Sequence, residues 1–149
     1  MALAVGDRAP MFTTKDTQGT TISLADFGGK TVILYFYPKD DTPGCTKESC
    51  SFRDHYGAYR EKDLVVLGVS ADDVSSHQQF SQKFNLPFPL LADPDGSIIR
   101  AYDVQRPGYD QPLASRVTYV IGGDGVILRV YDSVQTETHA TDILADLGL

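Results

Sequence analysis

The segment Thr31-Val-Ile-Leu-Tyr-Phe-Tyr37 is β-branched or aromatic at almost every position. A strand with one wet face alternates apolar and polar side chains. A run this uniformly apolar has two faces to bury, as strands inside a parallel or mixed sheet do. Pro38 ends it, because proline brings no N–H to a sheet ladder. Leu64 to Val69 (LVVLGV) repeats the pattern and predicts a second buried strand. Two such strands need layers on both sides, which already limits the fold to a sheet sandwiched between other elements.

The rest of the chain supplies those layers. Residues 6–30 read as turns and short extended pieces: Gly6 to Pro10, Thr17 to Thr20 and Phe27 to Lys30. A helix opens after Lys39-Asp-Asp-Thr42, with Thr42 as N-cap and Pro43 at the first helical position, and is expected to reach about Tyr59. Asp73 or Ser75 begins another, reaching about Phe84. Residues 87–91 are extended, Asp93 to Gly96 form a turn, and Ser97 to Tyr102 fit one or two helical turns. Residues 103–115 are a loop. Val117 to Ile121 and Val126 to Tyr131 flank Gly122-Gly-Asp-Gly125, a hairpin signal. Residues 137–147 close the chain with a helix. No repeat or linker interrupts residues 1–149, so one domain is expected: α/β, a central mixed sheet flanked by helices.

Charge and cysteine usage exclude several functions. The net charge of −7 and the absence of a Lys/Arg run speak against a nucleic-acid partner or an anionic membrane surface. The longest fully apolar run, Val32 to Tyr37, is too short to span a bilayer. The first residues lack a signal peptide's basic start and longer apolar stretch, so a cytoplasmic location is expected. Two cysteines are too few for a disulfide framework or a four-thiolate zinc site, and the three histidines lie apart at 55, 77 and 139. No metal is expected.

The cysteines are better placed for redox chemistry. Cys45 is at the third position of the predicted helix, where backbone N–H groups have no helical partner and the dipole is positive, a setting that stabilises a thiolate. The alternative is a buried, inert thiol. On the same helix, Phe52, Tyr56 and Tyr59 share the face of Cys45, whereas Cys50 is rotated by about 140° from it. The two Cα atoms would be roughly 8.6 Å apart, beyond the limit of about 7 Å for a disulfide. The sulfurs can join only if the first two turns unwind. Four intervening residues argue against a CxxC dithiol, and neither cysteine has an Arg six residues on, as a phosphatase loop requires. His77 falls on the apolar side of its helix and reads as a satisfied, half-buried residue. Lys39, Asp40 and Asp41 read as solvated loop residues.

Pro38-Lys-Asp-Asp-Thr-Pro-Gly-Cys-Thr-Lys-Glu-Ser-Cys50 resembles the peroxiredoxins, most closely the bacterioferritin comigratory protein or peroxiredoxin Q group. Pro38, Thr42 and Cys45 meet the family pattern Pro-x-x-x-Thr-x-x-Cys, and Cys50 meets the group's second cysteine. Residues 6–12, 24–30, 86–91 and 116–121 extend the resemblance over nearly the whole chain. The resemblance implies a thioredoxin-like fold with an N-terminal extension and a thiol peroxidase needing no cofactor. Cys45 would attack the peroxide and Cys50 would resolve the resulting sulfenic acid as an intramolecular disulfide. Thr42 would hydrogen-bond sulfur and peroxide, Pro38 would shield the sulfur from water, and Arg116 would stabilise the thiolate and polarise the O–O bond. The backbone N–H groups of Gly44 and Cys45 would hold peroxide oxygens. Thioredoxin or a glutaredoxin-like dithiol would be the reductant, and the chain would act as a monomer. A non-enzymatic peroxide sensor or relay could use the same cysteines, and a binding module with inert cysteines is the further alternative. The chain departs from the family at Gly122, often Asp in relatives, and the loop 103–115 is its own.

Overall fold

The computed structural model describes residues 3–148. A hairpin of β1 (Thr13–Lys15) and β2 (Thr21–Ser23) leads through a 3-10 turn at Leu24–Phe27 to β3 (Thr31–Phe36), the centre of the main sheet. After it come α1 (Pro43–Asp54), α2 (Tyr56–Glu61), β4 (Leu64–Ser70), α3 (Val74–Phe84), β5 (Leu90–Ala92), α4 (Ser97–Ala101), β6 (Val117–Ile121), β7 (Ile127–Tyr131) and α5 (His139–Asp146). The strand order is β5-β4-β3-β6-β7. β3 runs parallel to β4, from Thr31 beside Leu64 to Phe36 beside Val69, and antiparallel to β6. The sheet is mixed, as expected from strands that alternate with helices and close on a hairpin.

Side chains of β3 divide between two cores because successive strand residues point to opposite faces. Val32, Leu34 and Phe36 pack with Leu67, Ile99, Tyr102 and Tyr119 under α4 and the N-terminal segment. Ile33, Tyr35 and Tyr37 pack with Cys45, Phe52, Tyr59, Phe80 and Ile143 under α1, α3 and α5. Every β3 side chain from Val32 onward is at most 1% exposed. Gly68, across from Tyr35, makes room for this packing: a Cβ there would sit 2.7 Å from the Tyr35 ring. That ring is free to stack on Phe52 at 4.8 Å and to share a 2.9 Å hydrogen bond with Ser49. Sheet and α1 are thereby fixed against each other. Truncating Phe52 to alanine would cost about 3–5 kcal/mol.

The helix expected from Thr42 to about Tyr59 is divided at His55. The His55 ring Nδ1 takes the Ser51 carbonyl at 3.0 Å, the acceptor its own amide would use in a continuous helix. The amide turns instead to Phe52 O at 3.3 Å, and the chain restarts as α2. Tyr59 still reaches the core from α2, and its hydroxyl donates to Ala140 O of α5 at 2.6 Å.

Candidate active site

The loop from Tyr37 to Thr42 carries the chain from the C-terminal end of β3 into α1. Thr42 is extended (φ −98°, ψ 156°), its carbonyl accepts from Thr46 N at 2.8 Å, and Pro43 begins the helix. The backbone reading of Thr42 as N-cap holds, but its side chain does not cap. The hydroxyl donates back to Lys39 O at 2.9 Å and closes the loop on itself. Its oxygen keeps lone pairs to accept a further hydrogen bond. Thr46 makes the first helical bond, so the Gly44 and Cys45 amides lie in the turn where no helical acceptor exists. Pro38 is half-buried at the loop's start.

Cys45 is 1% exposed in the core cluster with Tyr35 and Phe52. Arg116, one residue before β6, reaches across to it. Its Nη2 donates to Cys45 Sγ at 3.3 Å and its Nη1 to Glu48 Oε1 at 2.7 Å. One guanidinium thus holds the sulfur at position 45 and the carboxylate one turn further along α1. The close approach needs Gly44, since a Cβ there would lie 3.0 Å from Arg116 Nη2. Arg116 also borders a groove of about 390 Å³ lined by Asp103, Val104, Gln105, Pro107 and Asp132, and its side chain is 21% exposed. β3–β6 pairing is what brings a residue 71 positions away to this sulfur.

Glu48 was missed in the sequence, where it is one carboxylate on a charged helix. Here it is fully buried, and Oε2 has no hydrogen-bond partner among the described residues. Burial raises its pKa to about 7, against the lowering effect of Arg116. His139 Nε2 lies 3.8 Å from Oε2 and bonds Thr118 Oγ1 at 2.8 Å. Burial lowers the His139 pKa to about 4. The i, i+3 spacing of Cys45 and Glu48 was the available signal, as it puts both on neighbouring parts of one helix face.

Asp40 corrects the reading of residues 39–41 as solvated. Lys39 and Asp41 are exposed, but Asp40 is buried, drawn inward by three donors: Tyr37 OH at 2.6 Å, Ser76 Oγ at 2.7 Å and His77 Nδ1 at 2.8 Å. His77 is satisfied, as expected, yet fully rather than half buried.

Cys50 lies on the same unbroken α1, half-buried, and burial raises its thiol pKa. Both thiols are free. Thr42, Cys45 and Arg116 converge at one end of the sheet, with Pro38 at the head of the same loop; Cys50 stands apart on the helix. Among the described residues there is no cluster able to hold a metal, and no helix is long and apolar enough to cross a membrane.

Comparison with known proteins agrees with this geometry. Residues 5–130 match the model of the AhpC/TSA family. A Coxiella burnetii protein named as a peroxiredoxin of the bcp type is 45% identical over 151 aligned residues, covering 99% of this chain and 100% of its own. The crystal structure of a cysteine-to-serine mutant of Xylella fastidiosa PrxQ superposes with TM-score 0.92 at 30% identity, over 99% of this chain and 97% of that one. A Xanthomonas campestris bacterioferritin comigratory protein, studied for alkyl peroxide reduction, superposes with TM-score 0.85 at 33% identity, over 92% and 90%. A thioredoxin-type sheet with a cysteine–arginine pair at its end, and likeness over nearly the whole chain, lead to one conclusion: the chain belongs to the AhpC/TSA family, as a peroxiredoxin of the bacterioferritin comigratory protein and peroxiredoxin Q kind, a thiol-dependent peroxidase.

Proposed function

We propose that Cys45 is the sulfur that attacks the peroxide and Cys50 the sulfur that resolves it. The observation that carries this is the 3.3 Å hydrogen bond from Arg116 to Cys45 in the opening turn of α1. A positive donor and partnerless amides meet there at one thiol. The Cys45 thiolate attacks the terminal oxygen of a hydroperoxide, the O–O bond breaks, and the departing oxygen leaves as water or an alcohol after taking a proton. Arg116 and the Gly44 and Cys45 amides stabilise the charge that develops on the two oxygens. Thr42 Oγ1, its own proton engaged with Lys39 O, accepts a hydrogen bond from the hydroperoxide O–H. Pro38 keeps bulk water from the sulfur.

The sulfenic acid on Cys45 then meets the Cys50 thiol. Condensation forms an S–S bond and releases water. An intact α1 holds the two Cα atoms roughly 8.6 Å apart, so the segment from Pro43 to about Phe52 unwinds first. Helix ends open at low free energy, which makes this feasible. A thioredoxin or glutaredoxin-like dithiol reduces the disulfide by exchange. Hydrogen peroxide and organic hydroperoxides are the substrates. Residues 1–149 act as a single domain and a monomer in the cytoplasm, without cofactor, nucleic acid or membrane.

Intact-mass measurement tests the scheme. Reduced protein with one equivalent of hydrogen peroxide should lose about two hydrogens, and the Cys50→Ser variant should instead gain one oxygen. An unchanged mass for the native protein would refute the role of Cys45. Disulfide-free turnover in Cys50→Ser at the native rate with thioredoxin would refute that of Cys50.

A further inference from the structure

The carboxylate of Asp40 is the most heavily bonded side chain beside the reactive loop, and nothing in the peroxide chemistry above uses it. Its Oδ1 accepts from Tyr37 at 2.6 Å, and its Oδ2 from Ser76 at 2.7 Å and from His77 Nδ1 at 2.8 Å. The Asp40 amide donates to Asp72 Oδ2 at 2.8 Å. On its far side His77 meets Leu91 O at 2.9 Å through Nε2. The side chains of His77 and Asp40 are 0% and 4% exposed. The ring is thus held from both nitrogens, between the Asp40 carboxyl and the Leu91 carbonyl.

We propose that Asp40 and His77 form a positioning pair for the peroxide-reacting step, holding the loop 38–42 so that Thr42 and the opening turn of α1 stay set around Cys45. The pair connects that loop to α3 and, through Leu91, to β5. All of its members lie outside Pro43–Phe52, the segment that unwinds. The loop therefore keeps its place when α1 opens, and α1 has a fixed start from which to rewind. Asp41 follows in the left-handed region (φ 57°), a turn that sets Thr42 back over the loop, and such a conformation needs support on both sides. Asp40 supplies it on one side, and the Thr42–Lys39 bond on the other.

The inference rests on Cys45 being the attacking sulfur, and single-turnover kinetics keeps the two questions apart. Reduced protein is mixed with hydrogen peroxide, quenched with a thiol alkylator and resolved by intact mass, which gives the rate of Cys45 oxidation and the rate of disulfide closure separately. His77→Gln should slow Cys45 oxidation about tenfold or more, since small misplacements of reacting groups have effects of that size or larger. Disulfide closure should stay within about twofold of native, because the pair lies outside the unwinding segment. Asp40→Asn, which keeps the shape and one acceptor oxygen for Tyr37 but puts an amide NH2 where Ser76 and His77 meet the carboxylate, serves where His77→Gln fails to fold and should shift the same step. Unchanged oxidation rates in a folded variant overturn the proposal, as does equal slowing of both steps, the signature of a merely structural role. A native protein that does not react at Cys45 refutes the underlying reading instead.

Discussion

Two buried acids stand before and after Cys45 in the chain, and they are built differently. Asp40, in the loop, has both carboxylate oxygens engaged and its imidazole partner on α3. Glu48, on α1, gives one oxygen to Arg116 and has none of the described residues hydrogen-bonded to the other. Position in the chain accounts for the difference. Asp40 lies outside the stretch between the cysteines, whereas Glu48 lies inside it and must leave its site whenever Cys50 reaches Cys45. A fully satisfied buried network would resist that opening. A carboxylate whose burial is only half compensated offers less resistance to opening the wound helix.

The largest expected effect comes from removing the cation that links Glu48 to the sulfur. Arg116→Met deletes the donor at Cys45 and leaves Glu48 buried with no charge partner. Loss of a single preorganised donor of this kind costs about 10²–10³ in rate. Cys45 oxidation, followed by quenched mass, should fall by that factor, and burial should push the Glu48 pKa higher still. Arg116→Lys keeps the charge without the two-pronged geometry and should fall between. If Arg116→Met oxidises as fast as native, the pairing at Cys45 is incidental.

A smaller effect tests the approach rather than the charge. Gly44→Ala places a Cβ 3.0 Å from Arg116 Nη2. The guanidinium must give by a few tenths of an ångström, which disturbs its 3.3 Å bond to the sulfur. Oxidation should slow by about ten- to thirtyfold, a misplacement effect. Helix stability should improve slightly, alanine being the better helix former. A variant more stable and equally fast would show that Arg116 tolerates displacement.

The sequence carried the placement of Cys45 and Thr42 better than that of the groups around them. Cys45 and Thr42 were legible because the proline and the helix start are local, and a thiol in an opening turn has a stated electrostatic consequence. Arg116 could be singled out only through family resemblance, since seven arginines compete and only the β3–β6 pairing shows which one arrives. Glu48 and Asp40 were opaque for the same physical reason. A carboxylate's burial depends on donors brought from α3, β6 and α5, and no local pattern marks an aspartate that will meet Tyr37, Ser76 and His77. The division of the long helix at His55 was hidden too, because it comes from a side chain competing with its own backbone for the Ser51 carbonyl.

The smallest effect probes the half-compensated acid, Glu48, by pH. Burial raises Glu48 from its ordinary 4.5 to about 7, so between those values the folded protein keeps a proton that the unfolded chain has released. Its contribution to stability is full below pH 4.5 and is lost as pH rises through 7. Burial lowers His139 from 6.5 to about 4, so there the unfolded chain binds the extra proton. That contribution is full above pH 6.5 and is lost as pH falls through 4. Over the shared window the two slopes oppose each other. Glu48→Gln removes one of them while its side-chain carbonyl can still accept from Arg116. Between pH 5 and pH 6 the variant's stability should therefore rise relative to native by about 1 kcal/mol, close to the full linkage of a single proton per pH unit. Urea unfolding at the two pH values measures it. Parallel pH dependence in native and variant would mean that Glu48 is already ionised in its buried site, and that Arg116 alone outweighs the cost of keeping it there.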